Sequence, residues 1–251
     1  MNNDIPNNQS EDHEDSEQTA LIDNWRQVSA QVAQAHKQAA GQQQSKAAAK
    51  VTLLAVSKTK PAQMITTLVK QGQHEFGENY LQEAIEKITT LQADPEMSAI
   101  VWHYIGSIQR NKTRDIAEHF DWVQTLERDI IAKRLNDQRP DGMPPLNVLI
   151  QLNIDDEDSK SGCLPEALPE LIAIIKGYER LQLRGLMIIP AKADTDAFAR
   201  TQQLFTDIKQ AHPDLAAWDT LSMGMSSDMS EAIANGSTMV RVGTAIFGAR
   251  A

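Results

Sequence analysis

A single cysteine, Cys163, occurs in 251 residues. One thiol forms no intrachain disulfide and supplies no cysteine-based metal framework, and Cys163 has no histidine partner in sequence, so it reads as inert. A reducing compartment, the cytoplasm, suits such a chain. Aromatic residues are 5% of the sequence, and 24 Lys and Arg face 34 Asp and Glu, a net charge of −10. Nucleic-acid binding needs a basic face and stacking platforms. Beyond the local cluster of Arg110, Lys112 and Arg114, neither is present, so no nucleic-acid partner is expected. No apolar run is long enough to cross a bilayer. The opening MNNDIPNNQSEDHEDSEQ has neither the basic nor the apolar segment of a secretory signal. HExxH, CxxC, GxGxxG and Walker-type patterns are missing too, which removes the usual metal and nucleotide signatures.

What is present is an alternation. Residues 1–18 read as a disordered acidic extension, and 19–251 as one folded domain. Leu21, Trp25, Val28, Val32 and Ala35 have helical spacing, predicting a helix from Ala20 to Ala40. The Gln- and Ala-rich stretch after it, with Gly41, reads as a loop. VTLLAVS (51–57) is a continuous apolar run, as expected of a strand buried on both faces. PAQMITTLVKQG then places Pro61 in a first helical turn and Gly72 at a helix end. The unit recurs, with strands predicted at HEFG, AIVWHYIG, DWVQTL, LNVLIQLNI, LQLRGLMII, AWDTLSM and STMVRVG and helical stretches between them. Eight strands alternating with helices, undivided by any linker, predict an α/β fold, a single (β/α)8 TIM-type barrel. Periodicity alone leaves a doubly wound open sheet as the alternative. The apolar last strand would make an unusual edge and favours closure.

In such barrels the chemistry sits at the C-terminal ends of the strands. The polar residues there are Ser57-Lys58, Glu78-Asn79, His103, Gln124, Asn153, Ser222 to Ser226 and Arg241 to Thr244. Lys58 ends an apolar strand, where a low-dielectric setting favours the neutral, nucleophilic amine that forms a Schiff base; a lysine snorkelling outward is the other reading. Ser222-Met-Gly-Met-Ser226-Ser-Asp leads into a helix, and Arg241-Val-Gly243-Thr244 offers backbone N–H groups, a glycine and a hydroxyl. Loops at these two positions hold phosphate in many barrels, although Gly224 and Ser226 could simply turn and cap the helix. Arg241, between Val240 and Val242, points into the barrel by alternation. Its partner is either a bound acceptor or a carboxylate such as Glu78 or Asp219. His103 fits a packed histidine or an acid/base group.

LLAVSKTKP (53–61), FGENYLQEA (76–84), WHYIGSIQRNK (102–112), NVLIQLNI with SKSG (159–162), RGLMIIP (184–190) and SMGMSSDMSEAI with GSTMVRVGTAIFGAR (222–250) together resemble the pyridoxal phosphate homeostasis protein family. The resemblance runs from Val51 to Arg250; the acidic extension and the Gln/Ala stretch lie outside it. It implies the barrel of the alanine racemase class, without the C-terminal β-domain of the racemases, and a Schiff base between Lys58 and pyridoxal 5′-phosphate (PLP). Ser226, Gly243 and Thr244 would hold the phosphate, Arg241 would face the pyridine nitrogen, and Asn79 and His103 would line the ring. An arginine only donates hydrogen bonds, so the ring nitrogen opposite it stays unprotonated and the cofactor is a weaker electron sink. The family is regarded as non-catalytic, contributing to vitamin B6 and amino-acid balance. The expectation is thus a monomeric PLP-binding protein without strong catalytic activity, serving PLP-dependent apo-enzymes and needing no metal or membrane. Lys160, in the SKSG segment, is a solvated loop lysine or a transient aldehyde acceptor. The alternatives are a PLP-dependent racemase-like enzyme, separable by multiple turnovers, and a phosphosugar aldolase using Lys58, which would carry no bound chromophore.

Overall fold

The computed structural model describes residues 9–41, 50–157, 160–191, 194 and 196–249, and no side chains before Asp15. Strands β1 (Thr52–Val56), β2 (Glu75–Glu78), β3 (Val101–Tyr104), β4 (Trp122–Leu126), β5 (Leu146–Leu152), β6 (Leu181–Ile188), β7 (Thr220–Ser222) and β8 (Met239–Val242) follow the predicted runs, trimmed at their ends. Each is parallel to the next, and β8 returns to β1 with Leu54 opposite Arg241 and Ala55 opposite Val242. The barrel is closed, which excludes the open sheet.

Helices α2 (Ala62–Val69), α3 (Leu81–Gln92), α4 (Thr113–His119), α5 (Asp129–Gln138), α6 (Leu168–Lys176), α7 (Ala197–Ala211), α8 (Met229–Ala234) and α9 (Thr244–Phe247) surround it. Their sequences explain the packing. In α6, Leu168, Leu171, Ile172 and Ile175 recur at helical spacing and are the buried residues. Burying each such side chain fully contributes about 1.5–3 kcal/mol. The main core lies between strands and helices, and Trp122, Leu149 and Met187 form a separate cluster. Those three come from β4, β5 and β6 and fill the barrel interior.

Helix α1 runs from Gln9 to Ala40. Residues 9–18, expected to form part of the extension, are helical here, and residues 1–8 lie outside the described residues. No glycine or proline interrupts 9–40, and the buried stripe of Leu21, Val28, Val32, Ala35 and Ala39 anchors the helix from within. It packs on α2, α8 and α9, covering the seam where the last unit meets the first. Trp25 Nε1 donates to Gln73 Oε1 at 2.9 Å, and Asn24 Nδ2 to the Ile246 carbonyl at 3.3 Å. The loop expected after Gly41 falls at 42–49, outside the described residues.

Candidate cofactor-binding site

Closure makes neighbours of the chain's two ends. A Cβ built on Gly243 would lie 3.2 Å from the carbonyl oxygen of Val56, so Lys58, two residues past Val56, stands beside Gly243 and Thr244. Lys58 is half-buried in the turn that follows β1. The next residue, Thr59, has φ +63°, a left-handed conformation disfavoured for a β-branched side chain by about 1–3 kcal/mol. The turn is held from below. Thr59 N donates to Glu83 Oε1 at 2.6 Å, and the buried Lys87 ammonium donates to the Ser57 carbonyl at 2.8 Å. Lys87 also meets Glu78 Oε1 at 2.8 Å and Glu83 Oε1 at 2.5 Å, while Ser57 Oγ donates to Glu78 Oε1 at 2.7 Å. Burial raises Glu78 above its usual carboxylate range, and Lys87 offsets only part of that. Glu78 thus supports the lysine turn through α3.

The loop after β7 meets β8 from the other side, where Arg241 N donates to the Gly224 carbonyl at 3.0 Å. Gly224 has φ +95°, and a Cβ there would meet Ala232 Cβ at 2.6 Å; only glycine lets this loop fold back on α8. Ser226 and Thr244 are exposed, and no hydrogen bond to the Ser226 hydroxyl forms among the described residues. Asp228 stands at the N-cap position of α8 without a side-chain capping bond, and its carboxylate accepts from Met225 N at 2.5 Å.

Arg241 is buried inside the barrel. Its Nη1 donates to Ser222 Oγ at 2.8 Å and its Nη2 to the Ile188 carbonyl at 2.9 Å. Neither carboxylate considered from sequence reaches it: Glu78 pairs with Lys87, and Asp219 with Arg184 at 2.8 Å. Burial lowers the guanidinium pKa to about 10, and the charge of Asp228, not hydrogen-bonded to it, offsets only part of that. Asn79 lies at the β2 end, with its Oδ1 buried and unpartnered, an acceptor facing no donor of the protein. A Cβ on Gly106 would come within 2.1 Å of the Asn79 carbonyl oxygen, so glycine is required there.

His103 is fully buried. Its Nε2 is 2.6 Å from Glu75 Oε2, and its Nδ1 is 2.9 Å from Gln124 Nε2, leaving no ring nitrogen for a bound molecule. Lys160 pairs with Asp155. Burial pushes the Cys163 thiol up to about 11. Lys87, Glu83 and Glu75 escape sequence reasoning. The Glu83–Lys87 spacing is visible as an i,i+4 pair, but such pairs are ordinarily solvated. Among the described residues, no group of three or more His, Cys, Asp and Glu could hold a metal ion, and no helix is long and apolar enough to cross a membrane.

A buried cation in no ion pair among the described residues, an orphaned acceptor, a clamped lysine turn and two loops with exposed hydroxyls lie at one end of the barrel. Such a set suits a phosphorylated aromatic aldehyde whose ring offers an acceptor to Arg241. The family described as "Alanine racemase, N-terminal domain" matches residues 18–251. A pyridoxal phosphate homeostasis protein of Pasteurella multocida (strain Pm70) is 54% identical over 218 residues, covering 85% of this chain and 92% of the relative. The structure of PipY from Synechococcus elongatus PCC7942 with PLP bound is similar at TM-score 0.70 and 33% identity, over 86% of this chain and 100% of that one. Alanine racemase from Corynebacterium glutamicum shares the fold at TM-score 0.63 and 17% identity, over 92% of this chain and 61% of that one. The chain belongs to the pyridoxal phosphate homeostasis protein family, within the alanine racemase N-terminal domain family.

Proposed function

We propose that this protein binds PLP as a Schiff base on Lys58 and buffers it for PLP-dependent apo-enzymes in the cytoplasm, contributing to vitamin B6 and amino-acid balance. One observation carries the reading. Among the described residues Arg241 is a buried guanidinium in no ion pair, with Asp228 acting on it only at longer range, and it lies close to the turn that presents Lys58. A buried cation left so is costly unless a ligand completes it. The PLP-bound PipY and the homeostasis names of the relatives support the cofactor and a role in holding it.

When bound, the cofactor supplies an aldehyde that condenses with an amine and a pyridine ring that can accept electron density. Lys58 would provide the amine. The Ser226 and Thr244 hydroxyls and the Gly243 backbone would take the phosphate, and Asn79 would accept from a ring substituent. Arg241 would donate to the pyridine nitrogen and keep it unprotonated, which disfavours carbanion chemistry. His103, its ring nitrogens engaged by Gln124 and Glu75, would line the site without donating to the cofactor. A single barrel of this kind would work as a monomer.

Equilibrium dialysis of the wild-type protein and Lys58→Ala tests the binding. Equal, weak uptake by both would contradict the reading. Assays with D- and L-amino acids at stoichiometric protein test the absence of strong catalysis. Sustained turnover abolished by Lys58→Ala would make the protein a racemase-like enzyme instead.

A further inference from the structure

We propose that Gln124 and His103 are positioning residues for Arg241, joined to it in a one-way hydrogen-bond thread that crosses the barrel and holds His103 as its Nε2-protonated tautomer. This rests on the reading of Arg241 as the group facing the cofactor ring. The thread runs from Arg241 Nη1 to Ser222 Oγ at 2.8 Å, from Ser222 Oγ to Gln124 Oε1 at 2.7 Å, from Gln124 Nε2 to His103 Nδ1 at 2.9 Å, and from His103 Nε2 to Glu75 Oε2 at 2.6 Å. Its members come from β8, β7, β4, β3 and β2.

Its polarity follows from the chemistry of the two ends. Guanidinium only donates, so Ser222 Oγ accepts from Arg241 and turns its own proton to Gln124 Oε1. The amide nitrogen of Gln124 then faces His103 Nδ1, which must be the unprotonated ring nitrogen. A second contact fixes the amide independently. Gln124 Nε2 lies 3.1 Å from Met239 Sδ, a thioether that can only accept. The His103 proton therefore sits on Nε2 and is donated to the Glu75 carboxylate, the acceptor at the other end. Trp122 stacks on the imidazole with centroids 5.1 Å apart and planes 15° apart, locking the ring.

The thread matters because Arg241 has few other restraints. Its other hydrogen bond among the described residues goes to one backbone carbonyl, so Ser222 decides where Nη1 points, and Gln124 decides where the Ser222 proton goes. Glu75, the only thread member that is not buried, lines a cavity of about 560 Å³ together with Arg184, Asp219 and Thr52 from the N-terminal ends of neighbouring strands. The thread thus fixes the guanidinium from the end of the barrel opposite Lys58.

The tautomer can be read without PLP, from long-range 1H–15N correlations of the histidine rings in 15N-labelled protein. Wild type is expected to show His103 protonated on Nε2. Gln124→Glu keeps the shape and replaces the donor by an acceptor, so His103 Nδ1 is expected to carry a proton as well while Nε2 still donates to Glu75; a merely structural role would leave the ring unchanged. Gln124→Leu is expected to weaken PLP retention about tenfold, the loss of one hydrogen bond made by a charged network. Ser222→Ala, which cuts the thread beside Arg241, is expected to do the same and guards against a Gln124 variant that fails to fold. Nδ1 protonation in wild type, or an unaltered ring in Gln124→Glu, would overturn the thread. Retention unchanged in both Gln124→Leu and Ser222→Ala would overturn the positioning role. A wild-type protein that is Nε2-protonated but takes up no PLP, with Nδ1 protonated in Gln124→Glu, would uphold the thread and contradict the cofactor reading alone.

Discussion

The Lys87 ammonium lies 2.8 Å from Glu78 Oε1, with both side chains buried beneath the Lys58 turn. Removing one member of a buried pair strands the other, at a loss of about 3–5 kcal/mol. Lys87→Met is therefore expected to destabilise the protein by about that amount in urea unfolding. The double variant Lys87→Met/Glu78→Gln should recover part of the loss, because neither charge is left alone.

Glu78 also gives stability a pH dependence. Burial raises its folded pKa above the usual 4.5, so the folded protein takes up this proton more readily than the unfolded chain. The group's contribution is most favourable below pH 4.5 and declines as pH rises through the folded pKa. Glu78→Gln removes that decline. In thermal unfolding scans, the Tm of Glu78→Gln minus that of wild type is expected to grow from pH 4.5 towards neutrality. A difference that shrinks over this window would contradict the burial argument.

Arg241 is expected to trade stability for binding. Its folded pKa of about 10 against an ordinary 12.5 corresponds to about 3 kcal/mol of disfavoured charge. Because a cation's pKa is lowered, that penalty is present throughout the neutral range and is relieved only above pH 10. Without ligand, Arg241→Met should therefore unfold at an equal or higher urea concentration than wild type, despite the hydrogen bonds it loses. Its PLP affinity should fall at least tenfold. A variant both unstable and fully able to bind would refute this.

Gly106→Ala drives a Cβ to 2.1 Å from a backbone oxygen of Asn79, whereas Gly243→Ala meets Val56 O at a milder 3.2 Å. The first is expected to lose several kcal/mol of stability by the mechanisms of overpacking, and the second much less. Chemical denaturation of the two variants side by side checks the order.

Cys163 is buried, with its thiol pushed up to about 11. Because the thiolate is the reactive form, a colourimetric disulfide reagent at pH 8 should label it only after denaturant is added.

Much of this was legible in sequence because a parallel barrel buries its strands on both faces. The run Leu146–Leu152 is apolar enough to be read directly as a strand, and Val240 and Val242 flanking Arg241 reveal which way the arginine points. Closure was less legible, since periodicity within a strand says nothing about its neighbours; the pairing of Leu54 with Arg241 depends on the whole circuit. Lys87 was illegible for a related reason. Its spacing from Glu83 matches an exposed helical pair, and only the position of α3 against β2 places it under Ser57 and Glu78. His103 reads as a residue at the mouth, yet Glu75, from the start of β2, draws one ring nitrogen towards the opposite end. Helix α1 begins ahead of its apolar stripe because a continuous helix-compatible sequence extends from that anchored segment.

The most direct test is the visible absorbance of the purified protein incubated with PLP, followed by borohydride reduction and peptide mapping. The account predicts a yellow protein that loses its colour on reduction and carries the pyridoxyl mass on the Lys58 peptide. A colourless protein that stays unlabelled with excess PLP, or a label confined to another lysine, would contradict it.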